Sequence, residues 1–396
     1  MDCGVSILSN GWKNIRKQLL INVLGVFASG AVFITCHYSS SVSATSQNIA
    51  ILLLQSIKDV GPNNVVQVIT HNATNCKATR KVIECAHPHI FWSGCLVHTL
   101  NLLMHDIVKH KECGWINELY KRGKQFIKFL IGHTRVNYFY GTYSKLQLLK
   151  LKKPRFASYY LTFRRLVKVR QTLTNMVTSK SWEEINTDRD GANVAKDTIL
   201  DMLFWSQIKY VLQFTKPIYY MIKFVDSNRP IIGEVYEQMD SLLGQIKDIV
   251  KLRDITLYNY ICAEVEKQWD MLNIPLHALA YVLTPKYYHP SWLSTPAIGG
   301  ACRREPHLDP KVLEAYMRAL DKLVSDEEAD MVLKQLHNYT LSIGPFGSTH
   351  AIRDRKTFSS FEWWNMHGGA TPLLQTLTLQ VLSQVVNNSS TKRCWS

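Results

Sequence analysis

Four β-branched apolar residues, Val65, Val66, Val68 and Ile69, follow a Gly61-Pro62-Asn63-Asn64 turn and stop abruptly at Thr70, His71 and Asn72. An apolar run of strand length bounded in this way reads as a strand buried on both faces, the kind found in α/β sheets. In open α/β sheets the carboxyl ends of the strands carry the site. The polar tip of this strand therefore makes His71 the first candidate functional residue.

The flanking sequence supplies partners for such a strand. Residues 4–10 read as a first strand, and 19–27 with 31–35 as a hairpin broken at Ala28-Ser29-Gly30. Ile49, Leu52, Leu53, Leu54 and Ile57 are spaced for an amphipathic helix within 43–60, stopped by Gly61. A helix over 76–85, a short strand near 90–92 and a helix over 95–107 complete the mixed α/β series. Beyond about residue 109 the alternation ends. Helical spacing continues over 116–130, 160–177, 197–225, 232–250 and 311–339, with Pro- and Gly-rich linkers such as 285–300. The organisation expected is an α/β core in 1–108, an all-α block in 109–345, and a return to the core in 346–396.

Charge points to a polyanion. The formal net charge is +15, and nearly all of it falls in residues 109–170, where sixteen Lys and Arg face only Glu112 and Glu118. Aromatic residues interleave with these cations. Basic groups neutralise phosphates and aromatic faces can stack on unpaired bases, although most of these aromatics read equally well as helix core. The nine scattered cysteines argue for reduced thiols rather than a disulfide framework. Lys13, Arg16 and Lys17 ahead of the apolar residues 19–36 imitate a membrane signal. Asn22 and the 28–31 break divide that run into strand-length pieces, so no membrane partner is expected.

Several segments, in order along nearly the whole chain, carry a resemblance. They are Asn10-Gly11-Trp12, His71-Asn72-Ala73-Thr74-Asn75, Cys95-Leu96-Val97-His98 with Leu100, Pro154-Arg155-Phe156, 275–281 with Thr284-Pro285, and the tail 389–396. Together they resemble the hAT superfamily of DNA transposases, in particular its large plant branch. The resemblance implies a ribonuclease-H-like mixed sheet interrupted by a large all-α insertion, with 275–281 similar to a helix of that insertion. It also implies DNA as partner, other hAT proteins as further partners, and a nuclear location. Family members usually carry an N-terminal BED-type zinc finger and a C-terminal dimerisation segment, neither of which matches a stretch of this sequence.

The same resemblance implies a site. Active family members hold Mg²⁺ with three carboxylates, which activate water and stabilise the leaving 3′-oxygen. The matching positions here are Asn10, His71 and Lys392. Asn10 keeps an oxygen without the charge, His71 offers nitrogen suited to softer metals, and Lys392 would repel the cation. The expectation is a protein without nuclease activity and without a cofactor. Asp2, Asp59, Glu84, Asp106 and Glu362 lie near in sequence, but none is at a matching strand end. For DNA contact the candidates are His98, Lys150, Lys152, Lys153, Arg155, Phe156, Arg164 and Arg165, with Phe156 placed where the family stacks an aromatic on a flipped base. A zinc site from Cys85, His87, His89, Cys95 and His98 has the right ligand types but matches no closed spacing. The alternative function is a protein-interaction scaffold that pairs with intact family members; a nuclease with substitute ligands is a third class.

Overall fold

The computed structural model describes residues 4–13, 19–39, 45–72, 74–109, 113–148, 158–184, 189–227 and 229–393. It divides into two compact units, one of 1–99, 223–244 and 267–396, the other of 100–222 and 245–266. The stretch 109–345 is thus shared between both units.

The first unit is built on five strands: β1 (Val5–Lys13), β2 (Leu19–Phe27), β3 (Gly30–Ser39), β4 (Val65–Thr70) and β5 (Phe91–Gly94). Their order is β3-β2-β1-β4-β5. β1 pairs antiparallel with β2 and β2 with β3, whereas β4 runs parallel to β1 and β5 parallel to β4. This mixed order is the ribonuclease-H-like one. All six residues of β4 are buried, the polar Gln67 included. The residues 19–36 that imitate a membrane signal are the β2–β3 hairpin, and no described helix is long and apolar enough to cross a membrane.

Helices α1 (Ser46–Val60), α2 (Thr74–Ala86) and α3 (Leu96–Lys109) connect or follow these strands. Thr45 caps α1 by accepting from the Asn48 amide, and Gly61 ends it at φ +90°, a conformation open to glycine. Ile49, Leu53 and Ile57 of α1 pack with Val5, Ile7, Ile21, Val23, Val65 and Val68 of the sheet. Burial of these branched side chains contributes roughly 2 kcal/mol each.

The second unit is helical: α4 (Gly114–Gly132), α5 (Thr134–Tyr143), α6 (Ser158–Val177), α7 (Lys180–Glu183), α8 (Arg189–Leu200) and most of α9 (Met202–Val225). Helical periodicity predicted one helix over 197–225, but the chain breaks at Asp201. The Asp201 carboxylate accepts from the Leu203 and Phe204 amides, an N-cap that starts α9 afresh. Arg122 pairs with the same carboxylate at 2.7 Å and holds it ionised below the usual carboxylate range, chiefly through that hydrogen bond.

Further along come α10 (Ile232–Val250), α11 (Ile255–Leu272), α12 (Pro275–Val282), α13 (Pro290–Leu293), α14 (Pro310–Leu323) and α15 (Asp326–Thr340). The predicted helix 311–339 is two, because Val324 and Ser325 leave the helical conformation and Ser325 opens α15. Helices α16 (Thr349–Thr357), α17 (Ser360–His367), α18 (Pro372–Leu382) and α19 (Ser389–Arg393) close the chain.

Between α18 and α19 the whole segment 383–388 is buried. Several of its polar groups bond to residues at or near β1 and β4. Ser383 Oγ donates to Gly4 O, Gln384 Oε1 accepts from Ser6 Oγ at 2.6 Å, and Val385 O accepts from Gln67 Nε2 at 2.8 Å. Gln67 Nε2 also donates to Ser6 Oγ at 2.9 Å. Both Gln67 donors are therefore in use inside the core. Replacing Gln67 by Leu should cost about 2–4 kcal/mol, read by urea unfolding, because it leaves Val385 O and Ser6 Oγ short of partners.

Candidate functional site

The parallel register of β1 and β4 sets Leu8 beside Ile69. Asn10 stands two residues further along β1, and His71 is the first residue past the end of β4. β5 continues the line: Thr70 pairs with Gly94, and the Cys95 amide donates to Thr70 O at 2.9 Å. The chain then enters α3, whose first turn carries His98.

Side chains close in on this end. The His98 and His71 rings meet edge to face at 4.8 Å between centroids, nearly perpendicular. Asn72 Nδ2 donates to Thr99 Oγ1. A Cβ on Gly94 would stand 1.6 Å from Asn72 Oδ1, so only glycine lets this side chain cross the tip of β5. Thr70 Oγ1 donates to His71 O at 3.1 Å. Below them, burial pushes the Cys76 thiol above its usual range, an effect partly offset by a hydrogen bond with Thr70.

The third position arrives from the other end of the chain. α19, which carries Lys392, packs against β1 and β2. Asn388 anchors it there, its Nδ2 donating to Ser9 O at 3.0 Å, and Asn387 Oδ1 accepts from the Ser389 amide at the start of the helix. The Lys392 side chain lies outside the described residues. Its backbone nonetheless belongs to the helix that lies on β1, the strand of Asn10.

The donor set at these positions does not fit Mg²⁺. Asn10 is 5% exposed and its Oδ1 has no hydrogen-bond partner; the facing Asn22 Oδ1, across the β1–β2 pair, is likewise orphaned. These are neutral amide oxygens. A hard divalent cation requires the charge of carboxylates to offset its dehydration, and imidazole nitrogen favours softer metals. Among the described residues, no group of three or more His, Cys, Asp or Glu side chains is placed to hold a metal ion. The zinc candidates are divided by β5, since Cys85, His87 and His89 precede it and Cys95 and His98 follow it. Four strand residues span roughly 13 Å, well beyond a ligand shell. His89 instead contacts Pro62 O at 3.0 Å.

Of the DNA-contact candidates, Lys150, Lys152, Lys153, Arg155 and Phe156 lie outside the described residues. Arg164 is exposed on α6 and sits over the Tyr219 ring at 5.9 Å. Arg165 is half-buried and donates to Gln147 O at 2.6 Å. Other cations of 109–170 are committed within their own unit: Arg122 pairs with Asp201, and Arg170 stacks on Trp205 at 5.2 Å. Those that face solvent include Lys121, Lys124 and Lys128, one stripe along α4. Only Lys121 has an acidic partner among the described residues, Glu118 at 2.7 Å. This stripe was legible in the i, i+3, i+7 spacing and went unsingled by sequence reasoning. Most interleaved aromatics, among them Tyr120, Phe126, Phe129, Tyr140, Tyr160 and Phe163, are core; Tyr138 is open to solvent.

The first third of the chain has a recognisable relation. Residues 1–126 match the family model described as a domain of unknown function, DUF659, a domain found in plant hAT-like transposase-related proteins. No curated protein matches the chain. The matched region contains the five described strands, α1 to α3, Asn10, His71 and His98, so the similarity falls on the sheet and on these positions.

Proposed function

We propose that the chain is a transposon-derived, catalytically inactive relative of hAT transposases that binds DNA non-specifically in the nucleus. The observation that carries this reading is the register of β1 and β4. Asn10 follows Leu8 by two residues on β1, His71 follows Ile69 by two just past β4, and the helix of Lys392 lies on β1. The three places where the family resemblance implies carboxylates thus lie on β1, just past β4 and on a helix packed against β1, and none is a carboxylate. In-line attack at phosphorus needs metal-activated water and a neutralised leaving oxygen, and this donor set supplies neither. The basic stripe of α4, with Arg164 on α6, supports the DNA-binding half of the reading through phosphate neutralisation.

Restoring the carboxylates tests the alignment directly. The triple variant Asn10→Asp, His71→Asp, Lys392→Glu should bind Mg²⁺ with millimolar or better affinity by calorimetry, while the parent shows no saturable heat. Absence of Mg²⁺ uptake in a folded triple variant would mean that these are not the metal-facing positions.

A further inference from the structure

The solvent face of α9 carries a second basic strip, outside residues 109–170. Lys209, Gln213, Lys216 and Tyr220 recur at intervals of three or four residues and are all exposed, so they form one line along the helix. Arg253 adds a third cation beside it, its Nη1 donating to Gln213 Oε1 at 3.2 Å and its guanidinium over the Tyr210 ring at 5.5 Å. From α6, the exposed Arg164 reaches the same strip over the Tyr219 ring at 5.9 Å. Lys209, Lys216 and Arg164 have no carboxylate partner among the described residues.

Aromatic rings make one end of this strip rigid. Tyr160, 5% exposed, stacks on Tyr219 with centroids 4.3 Å apart, and Tyr219 meets Tyr220 edge to face at 5.6 Å. Tyr220 is 52% exposed, and Lys216 Nζ lies 5.9 Å from its ring centre. Burial pushes the Tyr160 phenol up, Tyr220 adds to the effect and Arg164 opposes it, so all three side chains belong to one neighbourhood. A ladder of this kind runs from the core to solvent and fixes its outermost ring before any ligand arrives. Rigid aromatic area loses little entropy when a ligand stacks on it.

The lysine stripe of α4 is a different surface. Trp115, Arg122 and Phe126 of α4 contact Tyr210, Asp201 and Phe204 in and just before α9. At about 100° per residue, Lys124 and Lys128 then project from the opposite side of α4. The strip on α9 differs from that stripe in combining its cations with an exposed ring. Cations neutralise the phosphates of any strand, but a ring stacks only on a base whose face is free, and a base within a duplex offers its edges alone. Resting on the DNA-binding reading above, we propose that this face of α9 binds single-stranded DNA, with one base stacked on Tyr220 and the phosphates beside that base neutralised by Lys216 and Arg164.

The test measures fluorescence anisotropy of a labelled oligothymidylate of about 15 nucleotides, and of a duplex of equal length, with the full chain at low salt. Both should bind. Tyr220→Leu, at an exposed position whose replacement leaves the core intact, should weaken the single strand about tenfold and the duplex by about twofold or less. Tyr220→Phe should retain the parent affinity, because the ring and not the hydroxyl carries the stacking. Lys216→Gln should flatten the salt dependence of single-strand binding by about 0.7, the share of one phosphate. Single-strand affinity unchanged by Tyr220→Leu would overturn the proposal, and so would equal losses for duplex and single strand, or an equal loss with Tyr220→Phe. Duplex binding that depends on Lys124 and Lys128, without single-strand binding, would overturn it and leave the DNA-binding reading standing. Single-strand binding that depends on Tyr220, without duplex binding, would support it and remove the α4 stripe from that reading. Absence of both would overturn both.

Discussion

Affinity for a short DNA duplex should fall about a thousandfold between 50 and 200 mM salt, if the basic face of the helical unit engages about six phosphates. Each neutralised phosphate releases condensed counterions, so the logarithm of the binding constant declines linearly with the logarithm of salt. The slope counts the contacts. Lys124→Ala and Lys128→Ala should each reduce it by about one, since both side chains are exposed and neither has an acidic partner among the described residues. Arg122→Ala should behave differently. Its guanidinium is tied to Asp201 and lies over the Phe204 ring at 5.1 Å, so its loss should lower stability and leave the salt slope nearly unchanged. Neutralising Lys150, Lys152, Lys153 and Arg155 together measures the contribution of the neighbouring stretch. Absence of binding at low salt would remove the DNA half of the proposed function and favour the scaffold reading. That reading would then look first to β3, an edge strand with Val32 and Phe33 more than half exposed.

A second large effect is expected in acid. His277 is 2% exposed on α12, where Leu276 to Val282 are all buried. Its ring stacks on Trp269 at 5.8 Å, and Nδ1 accepts from the Ile274 amide at 3.3 Å. Burial pushes its pKa down to about 4 from 6.5. The unfolded chain therefore takes up a proton at a higher pH than the folded one. The stability linked to His277 is fully present above about pH 6.5 and is lost as pH falls toward 4, a total of about 3 kcal/mol. Asp240 acts in the opposite sense over part of the same window. Burial, followed by repulsion from Glu237 and Asp309, raises its carboxyl to about 6, so its contribution is lost as pH rises. The measurement is thus a difference: urea stability of the parent minus that of His277→Gln, at steps from pH 7.5 to 4. The parent's advantage should vanish toward pH 4. A pH-independent difference would show that His277 does not titrate in the folded protein under these conditions.

The helices that merged in the sequence reading show where periodicity loses resolution. Apolar spacing runs on through Asp201 and Ser325, because both breaks preserve the buried face. What ends each helix is a non-helical residue before the next one, and both were in view. Asp201 caps Met202-Leu203-Phe204 through its carboxylate, and Ser325 leaves the helical conformation and bonds through its hydroxyl to Glu328 at 3.0 Å. After α18 the helix stops at Leu382 and the next six residues lie buried, with Ser383, Gln384 and Asn388 bonded to Gly4, Ser6 and Ser9 near the other end of the chain.

The sequence by itself determined the local features: β4 as a doubly buried strand, the order of strands and helices to residue 109, the concentration of charge, and that Asn10, His71 and Lys392 are not carboxylates. These depend on side-chain period and on residue identity, both of which are written one position at a time. Only the tertiary structure decided which groups meet across long separations. Ser6 finds Gln384, His98 meets His71, and Arg355 is left among aromatic rings. Such pairings follow from how elements pack, and a single sequence without partners in view does not record which polar group each buried donor will find.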